Sequence, residues 1–439
     1  MEINSTTYPS ILKTKTLFDF KLSDISHNII RIIITDKFKF KEGSNTYKLC
    51  YNYLFLNSNI VFGIYCCYEF CKHNKVDLID LPFIDKSFTC LFVDVKIISS
   101  SKIYSFFSES NTKLILKTLL HKFYRIFFLL NKNKIKNENI VKYWCDVDEK
   151  LHLSVIKTKN TIIFIFPFVN NLKRAFLSIK KIYSSSNKKT LIGLPYSFKT
   201  LFRIVFSKNL YRDLAIIDHE YKAYNLHASD YDSATNIYTS DEFLTGIFIT
   251  NNILINNKKS IINKAHGIGF YSPFISYTEF ECFNEGQKLF YNTINTKINY
   301  KTRFSSVKLL DTQIKTNIVI IHQNFEDYKH RNLENLIQLS VFKILNFSIL
   351  NKKIYIKFHP NIKNKTKKNF LETFENFTEI SDLNSLSEIS FIGISSTAYY
   401  DFRDYGNFFF ISNNKDIIFK IFGNVNCLSE DELKMKILE

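Results

Sequence analysis

The stretch that decides the fold is residues 352–363, which read KKIYIKFHPNIK. A short run rich in isoleucine, tyrosine and phenylalanine favours a β-strand, and this one stops at the pair His359-Pro360. Proline has no backbone N–H and holds the residue before it in an extended conformation. We therefore predict that the strand ends at this pair and that the His359 side chain is held at the carboxyl end of the strand.

Similar strands alternate with helical segments on both sides of this stretch. The predicted strands are TNIVIIHQN (316–324), KKIYIKFHP (352–360), ISFIGISS (389–396) and NFFFIS (407–412). The predicted helices between them are RNLENLIQLSVFKILN (331–346), KKNFLETFENF (367–377) and TAYYDFRDYG (397–406). This βαβ alternation predicts a parallel sheet.

The same pattern occurs further upstream. There the predicted strands are TIIFIFPFV (161–169), KKTLIGLP (188–195) and LAIID (214–218), and NNLKRAFLSIKKIYSSS (170–186) is a predicted helix. Apolar runs of this kind are typical of strands buried on both faces of a parallel sheet. The chain is thus predicted to be an α/β protein with two Rossmann-like domains facing a cleft, at residues 156–300 and 301–439.

The first 155 residues are predicted to form an N-terminal α+β extension without a recognisable role. The segments NIIRIIITDKFKF (28–40) and SFTCLFVDVKII (87–98) have the composition of strands. The segment TKLILKTLLHKFYRIFFLLNKNK (112–134) has helical periodicity and a basic end. We interpret it as a core helix with a solvated basic face, and the alternative is a helix at a membrane surface.

The composition limits location and partners. The 439 residues carry a formal net charge of +18, which favours anionic partners, and the lysines are too dispersed along the chain for a nucleic-acid binder. The eight cysteines include Cys66, Cys67 and Cys71, whose spacing is a poor zinc pattern and favours buried thiols in a reducing compartment. Without a signal-peptide layout or a long apolar run, we predict a cytoplasmic protein, with peripheral contact at an anionic membrane surface as an open alternative.

The candidate site lies where the predicted strands of the second unit end. Ligands of open α/β sheets bind outside the carboxyl ends of the strands, and His359, Ser395 and Ser396 all fall at such ends. The hydroxyl groups of Ser395, Ser396 and Thr397 are followed by the start of a predicted helix. Together they predict an anion site. The alternative is a strand-end histidine without function beside an ordinary helix cap.

The first unit offers weaker candidates. The run IINKAHGIGFYSPF (261–274) breaks into His266-Gly267-x-Gly269, which makes His266 a candidate general base in the cleft. Asp218 and Glu220, in IIDHEYKAY, are further candidates for the cleft, although a structural role is favoured for both. The acidic triplets at 146–148 and 230–232 are interpreted as solvated acids, so no metal site is predicted. No P-loop, HExxH or G-x-S-x-G motif occurs.

With these motifs in place, the chain resembles bacterial sialyltransferases and polysialyltransferases of the GT-B architecture. The resemblance covers about residues 160–420 and depends on YIKFHPNIK, which matches an HP motif, and FIGISSTAYY, which matches an SS motif. The stretch NIVIIHQNFED is similar to the strand that opens the family's nucleotide domain, and it places Gln323 near the cleft. The resemblance implies that residues 156–300 are the acceptor domain and residues 301–439 the donor domain.

By this resemblance, the protein is a metal-independent glycosyltransferase that needs no cofactor. It would transfer an acidic sugar from a CMP-activated donor to a surface glycan of the capsule or lipooligosaccharide type. Gln323, His359, Pro360, Ser395, Ser396 and Thr397 would bind the donor, and His359 would also assist departure of its phosphate.

One departure from the family's pattern leaves two alternatives open. Ala265-His266-Gly267 stands where the family has an acidic pair before glycine. A His-Gly pair at this place is similar to the CDP-glycerol glycerophosphotransferases, which also have an HP motif and a segment like SSTAYYDF. The alternatives are therefore a glycerophosphotransferase and a binding protein that has lost catalysis.

Overall fold

The structure is a computed structural model, and it describes most of the chain. The described residues are 1–57, 59–98, 105–106, 110–131, 138–143, 150–158, 160–166, 176–177, 179–180, 188–240, 247–265, 267–268, 271–304, 311–325, 331–347, 352–360 and 362–438.

The strands form three sheets. In chain order they are β1 (Glu2–Ile3), β2 (Leu78–Ile79), β3 (Lys96–Ile97), β4 (Asn139–Tyr143), β5 (Thr161–Ile165), β6 (Lys189–Leu191), β7 (Asn236–Thr239), β8 (Ser260–Lys264), β9 (Glu279–Asn284), β10 (Asn299–Phe304), β11 (Asn317–Ile321), β12 (Lys353–Lys357), β13 (Phe377–Glu379), β14 (Ile389–Gly393), β15 (Gly406–Ile411) and β16 (Asn426–Leu428).

The α-helices connect these strands and build the N-terminal region. They are α1 (Tyr8–Ile11), α2 (Leu17–Lys21), α3 (Asp24–Ile32), α4 (Asn45–Asn57), α5 (Asn59–His73), α6 (Asn111–Asn131), α7 (Leu153–Ile156), α8 (Phe198–Phe206), α9 (Asn209–His227), α10 (Ile247–Asn256), α11 (Glu285–Ile294), α12 (Asn332–Phe347), α13 (Asn364–Thr373), α14 (Tyr399–Phe402), α15 (Lys415–Phe422) and α16 (Glu430–Leu438).

The C-terminal sheet has the order β13-β12-β11-β14-β15-β16, and all five strand pairs are parallel. Numbered from β11, this is the order 3-2-1-4-5-6 of Rossmann-type sheets. Its central strands are buried on both faces because their residues are almost all apolar, as in Asn317–Ile321 and Ile389–Gly393. The prediction of a parallel α/β sheet in this part of the chain is confirmed.

The seven-stranded sheet has the order β10-β9-β8-β7-β4-β5-β6. Numbered from β4, its first six strands again follow 3-2-1-4-5-6, and the pairs from β6 across to β9 are parallel. The first strand of this sheet, Asn139–Tyr143, lies before residue 156, where the sequence placed the start of the domain. The third sheet is small and consists of β1, β2 and β3.

The chain divides into two compact units that do not follow chain order. Unit 1 comprises Met1–Thr7, Ser23–Phe283 and Lys288–Arg303, and unit 2 comprises Tyr8–Leu22, Asn284–Gln287 and Phe304–Glu439. Most of the predicted extension of residues 1–155 therefore belongs to the same unit as the seven-stranded sheet. One physical reason is that α4 packs on α9 and α10, which cover that sheet.

The segment Tyr8–Leu22 belongs to unit 2. Thr16 caps α2 in a reciprocal pair with Asp19, and the Leu17 amide donates to Glu334 Oε1 over 3.2 Å. Asp19 Oδ1 also accepts from Asn414 Nδ2 at 2.9 Å. These bonds attach α2 to α12 and to the start of α15, which belong to the same unit as the C-terminal sheet.

Two strand predictions in the first part of the chain are wrong. Residues 28–40 form the end of α3 and a π-helical segment, Ile33–Lys37, because their buried isoleucines at 29, 30, 33 and 34 repeat with helical spacing. Within residues 87–98, only Lys96–Ile97 is a strand. A third strand prediction, LAIID, is also wrong, because it lies inside α9.

Other element predictions are confirmed. The long predicted helix of the N-terminal region is α6, and its buried residues Leu114, Thr118, His121, Tyr124 and Phe128 repeat with helical spacing. The strands predicted at 161–169 and 188–195 contain β5 and β6. The predicted helix at 170–186 lies mostly outside the described residues.

None of the described helices is by itself long and apolar enough to cross a bilayer. Two consecutive helices, Asn45–Leu56 and Asn59–His73, are together long and apolar enough by length and composition, but the pair bends by 72° at the break between them.

Candidate functional site

His359 lies just beyond the carboxyl end of β12, as the sequence predicted. The Ile362 amide donates to the His359 carbonyl at 3.0 Å, which closes a turn in which Pro360 follows the histidine. Proline suits the second position of such a turn because its φ is fixed. The His359 side chain is half-buried, and this burial lowers its pKa below the usual 6.5. The imidazole is therefore neutral at pH 7.

Ser395, Ser396 and Thr397 follow β14 in a tight turn. The buried Ser396 hydroxyl accepts from the Ala398 amide at 3.2 Å, and the Thr397 carbonyl accepts from the Tyr400 amide at 3.1 Å. Because the Ser396 oxygen already accepts one bond, its own O–H remains a donor.

The predicted helix after these serines is much shorter than the sequence indicated. It spans only Tyr399–Phe402, a single turn, instead of residues 397–406. Few peptide dipoles are aligned in one turn, so the contribution of a helix dipole to an anion site is small here. The hydroxyl groups are therefore the main donors that this turn offers.

Gln323 lies two residues beyond the end of β11, and its backbone is held by a second glutamine. The Gln323 amide donates to Gln338 Oε1 at 2.8 Å, and Gln338 Nε2 donates to the Gln323 carbonyl at 2.9 Å. Gln338 is buried on α12. The Gln338 side chain thus satisfies both the N–H and the C=O of Gln323, as the backbone of a neighbouring strand does within a sheet. Gln323 itself lies beyond the end of β11.

These residues meet at the topological switch point of the C-terminal sheet. β11 and β14 are adjacent in the sheet, and the connections from them run in opposite directions, to β12 and to β15. Gln323 Nε2 donates to the Ser395 carbonyl at 3.4 Å, and the Ser395 hydroxyl lies 3.5 Å from Gln323 Oε1. Crevices at such points are the usual ligand sites of open α/β sheets.

His322 is a member of this site that sequence reasoning missed. It is buried between the rings of Phe342, Phe358 and Phe370, and its backbone amide donates to the Lys357 carbonyl at 3.0 Å. Burial, with a smaller contribution from His359, lowers the pKa of His322 to about 4. Its Nδ1 has no hydrogen-bond partner in the part of the chain that the structure describes.

The missed residues had weak signals in the sequence. His322 directly precedes Gln323 and follows the apolar run NIVII, so it too lies at the end of a predicted strand. Gln338 is a polar residue on the buried face of an otherwise apolar helix, together with Ile337, Val341 and Phe342. A polar side chain in such a position needs a buried partner.

Chemically, the ends of the three adjacent strands β12, β11 and β14 carry neutral hydrogen-bond donors. The His359 imidazole, the Ser395 and Ser396 hydroxyls and the Gln323 amide all have N–H or O–H groups to donate. Preorganised donors of this kind bind phosphate or carboxylate oxygens without a proton transfer. The arrangement therefore suits an anionic group of a ligand.

His266, the candidate general base of unit 1, and Gly269 lie outside the described residues. Gly267 is described, and it follows the end of β8 by three residues. The segment beyond it is anchored by the N-terminal region: Ser272 donates to Asn52 Oδ1, and Asn52 Nδ2 donates to the Phe274 carbonyl at 3.3 Å. Helix α4 thus supports the segment that follows the His-Gly stretch.

The acidic residues of unit 1 have structural contacts. Glu220 is buried and accepts from the Tyr196 hydroxyl at 3.1 Å and from Lys117 at 2.9 Å. Asp218 is partly exposed and pairs with Lys222, one helical turn away, at 2.8 Å. These contacts agree with the structural role that the sequence favoured for both acids.

In the triplet 230–232, Asp232 is exposed, as interpreted, but Asp230 is not a solvated acid. Asp230 is buried, and its hydrogen bond with His227 and its ion pair with Arg125 hold its pKa below the usual 3.8 despite the burial. The triplet at 146–148 lies outside the described residues.

The described cysteines form no disulfide bonds, and Cys66 and Cys67 are buried in α5. Across the described ranges, histidine, cysteine, aspartate and glutamate do not form a group of three or more that would hold a metal ion.

Comparison with known proteins gives no assignment. No protein-family model matches the chain. No curated protein matches it significantly either.

A first prediction concerns the glutamine pair. Replacing Gln338 with leucine leaves the Gln323 amide without its partner, although the Gln323 carbonyl still accepts from the Phe325 amide at 3.0 Å, and this costs about 2 kcal/mol of unfolding free energy. Urea unfolding measures this effect. The matched control is Gln313→Leu at an exposed position. Unchanged stability in Gln338→Leu would contradict the role of this pair.

Proposed function

We propose that the protein is a metal-independent glycosyltransferase of the GT-B architecture, which pairs two Rossmann-type domains. It transfers an acidic sugar from a CMP-activated donor to a surface glycan, such as a capsule or a lipooligosaccharide. The observation that carries the proposal is the contact of Gln323 with Ser395 at the carboxyl ends of β11 and β14, with His359 at the carboxyl end of the adjacent parallel strand β12. Two sheets with the order 3-2-1-4-5-6 in one chain support the architecture.

In the proposed reaction, the acceptor hydroxyl attacks the anomeric carbon of the donor sugar. The bond between that carbon and the phosphate oxygen breaks, and its electron pair leaves with CMP. Negative charge therefore grows on the phosphate, where donors held in place stabilise the transition state most. We assign this role to the imidazole N–H of His359 and to the hydroxyls of Ser395 and Ser396, with Thr397 and Pro360 shaping the same site.

The proton of the acceptor hydroxyl must pass to a base. We assign this step to His266, which follows β8 by two residues in the sequence. An imidazole with an ordinary pKa of about 6.5 is neutral above that pH and can accept the proton. Gly267 beside it has no side chain to obstruct the acceptor.

Residues 265–267, Ala-His-Gly, also favour a second candidate, a phosphotransferase that uses a CDP-glycerol-type donor. In that reaction, the acceptor oxygen attacks phosphorus and CMP leaves, so the product is a phosphodiester. The same strand-end donors would stabilise the charge on the leaving phosphate. A protein that binds cytidine nucleotides without turnover is the third candidate, and it is motivated by the missing acidic pair.

The products of the reaction distinguish these candidates. The purified protein is incubated with CMP-sialic acid or CDP-glycerol and a glycan acceptor, and CMP release is followed by chromatography. We expect CMP and a glycosidic product from CMP-sialic acid. A phosphodiester product from CDP-glycerol would overturn the sugar transfer in favour of the second candidate. Nucleotide binding without CMP release from either donor would favour the third.

A further inference from the structure

Helix α6 presents an apolar face to solvent. Its exposed residues recur with a spacing of three or four and fall within an arc of roughly 120° at 3.6 residues per turn. They are Ile115, Leu119, Phe123, Ile126, Leu129 and Leu130. Ile126 is 63% exposed and Leu130 is 75% exposed, so the face is uncovered along most of its length.

The opposite face of α6 is held firmly in unit 1. The chain after β6 approaches so closely that a Cβ on Gly193 would lie 2.3 Å from the His121 carbonyl oxygen. The Leu194 amide donates to His121 Nδ1 at 3.0 Å, and Arg125 forms an ion pair with Asp230. The helix cannot rotate to bury its apolar face without breaking these contacts.

Helix α8 continues this apolar surface. Its exposed residues Phe198, Phe202 and Phe206 lie four apart on one face, and Phe202 and Phe206 are 64% and 75% exposed. The two helices lie side by side: Lys122 Nζ is 4.1 Å from the centre of the Phe198 ring, and Asn111 Nδ2 donates to the Val205 carbonyl at 3.4 Å. We call the exposed apolar residues of α6 and α8 the α6–α8 face.

The charges beside this face have a single sign. Neither α6 nor α8 contains an aspartate or a glutamate. Lys113, Lys122, Lys199 and Arg203 lie on the two helices, and Lys208 follows α8. Exposed apolar side chains on two helices whose charged residues are all cations favour an interface that is both apolar and anionic.

A basic pocket opens next to α8. It has a volume of about 520 Å³, and it is lined by residues of α8 and α9 that include Lys199, Thr200, Arg203, His219 and Lys222. His219 is buried and makes no hydrogen bond within the ranges that the structure describes, and burial lowers its pKa. The size and the donors of the pocket suit a phosphate group.

We propose that the α6–α8 face docks on a lipid bilayer that contains anionic lipids, with a headgroup phosphate in the adjacent pocket. The apolar side chains enter the boundary between headgroups and acyl chains, where their burial favours binding. The cations are attracted to the anionic surface and strengthen the binding. A soluble protein partner would cover the apolar side chains equally well, but it would need a matching acidic rim. This proposal does not depend on the transfer reaction.

Vesicle flotation with the full-length protein tests the proposal. The vesicles consist of phosphatidylcholine alone or of equal parts of phosphatidylcholine and phosphatidylglycerol. Two double variants separate the apolar contribution to binding from the electrostatic one. Phe202→Ser with Phe206→Ser weakens the apolar contribution, and Lys199→Gln with Arg203→Gln weakens the electrostatic one. Because all four side chains are exposed, the variants should fold, which circular dichroism checks. The matched controls are Phe347→Ser, at a residue 79% exposed in unit 2, and Lys157→Gln, at an exposed lysine of unit 1.

The wild type should bind the anionic vesicles at least about tenfold more tightly than the neutral ones. The phenylalanine variant should lose about tenfold or more on both vesicles, and the basic variant should lose only the preference for anionic lipid. Both controls should behave like the wild type. Wild-type protein that binds no vesicle, or binding that the phenylalanine variant retains, would overturn the proposal. Self-association of the wild type that the phenylalanine variant abolishes, without vesicle binding, would instead identify the face as a contact between copies of the chain.

Discussion

Replacing His359 with alanine should lower turnover by about 100-fold to 1,000-fold, the range found when one preorganised donor to a developing negative charge is removed. The site explains why the effect falls on the reaction. The histidine is half-buried just beyond the end of β12, and its burial keeps the imidazole neutral at pH 7. In the proposed reaction, the neutral imidazole would donate one N–H to the leaving phosphate, and alanine has no group that could replace it.

The same substitution should change the unfolding free energy by less than about 1 kcal/mol, since the side chain lies at the edge of the sheet and not in its core. Initial rates with the preferred donor, together with urea unfolding, separate the two effects. The matched control is His73→Ala, at an exposed histidine at the end of α5, which should leave both unchanged. His359→Gln should recover part of the rate if the residue only donates a hydrogen bond. Wild-type turnover in His359→Ala would exclude the proposed role.

The second large effect is on stability below neutral pH. His152 is buried in unit 1 and His322 in unit 2, and burial lowers the pKa of each to about 4. In the unfolded chain both histidines titrate near 6.5, so between pH 6.5 and 4 the unfolded state binds more protons. Stability therefore decreases as the pH falls through this window, by roughly 3 kcal/mol for each histidine.

Urea unfolding at pH 7 and at pH 4 measures this loss. His322→Phe removes the titrating group from unit 2, so its loss of stability between the two pH values should be smaller than that of the wild type by roughly 3 kcal/mol. His152→Phe makes the same comparison in unit 1. The exposed His73 again supplies the control, since His73→Ala should keep the full pH dependence. Equal losses in His322→Phe and in the wild type would show that His322 is not buried as a neutral imidazole.

The C-terminal sheet was predictable from the sequence because its strands are buried on both faces. Strands such as Ile389–Gly393 appear as continuous apolar runs, and proline or polar residues mark their ends. Knowing where the strands end was sufficient to predict that His359, Ser395 and Ser396 would lie at the same edge of the sheet, whereas Gln323 was placed near the cleft only by the family resemblance. The strand order that makes β11 and β14 neighbours at a switch point could not be obtained in this way.

The N-terminal region was harder because its composition is misleading. An isoleucine-rich run such as residues 28–34 favours a strand by propensity, but its buried positions have helical spacing. The short run at 214–218 does not distinguish a strand from a turn of a buried helix. Tertiary packing decided both in favour of helices.

Contacts between distant parts of the chain left no local signal. The docking of Tyr8–Leu22 on unit 2 depends on Glu334 and Asn414, more than 300 residues further along the chain. The pairing of Gln338 with the backbone of Gln323 depends on how α12 packs against the sheet. Single residues of these types occur throughout the sequence, so only the folded chain distinguishes them.

The central claim is that the strand ends of the C-terminal sheet bind the phosphate of a cytidine nucleotide. Calorimetric titration with CMP tests it most directly, using the wild type, the double variant Ser395→Ala with Ser396→Ala, and the control Ser87→Ala on a short 3₁₀ helix of unit 1. We predict one CMP bound per chain, with affinity at least about tenfold weaker in the double variant, since bonds to a charged group contribute about 1.5–3 kcal/mol each. The control should bind like the wild type. An absence of CMP binding, or equal binding by the double variant, would contradict the claim.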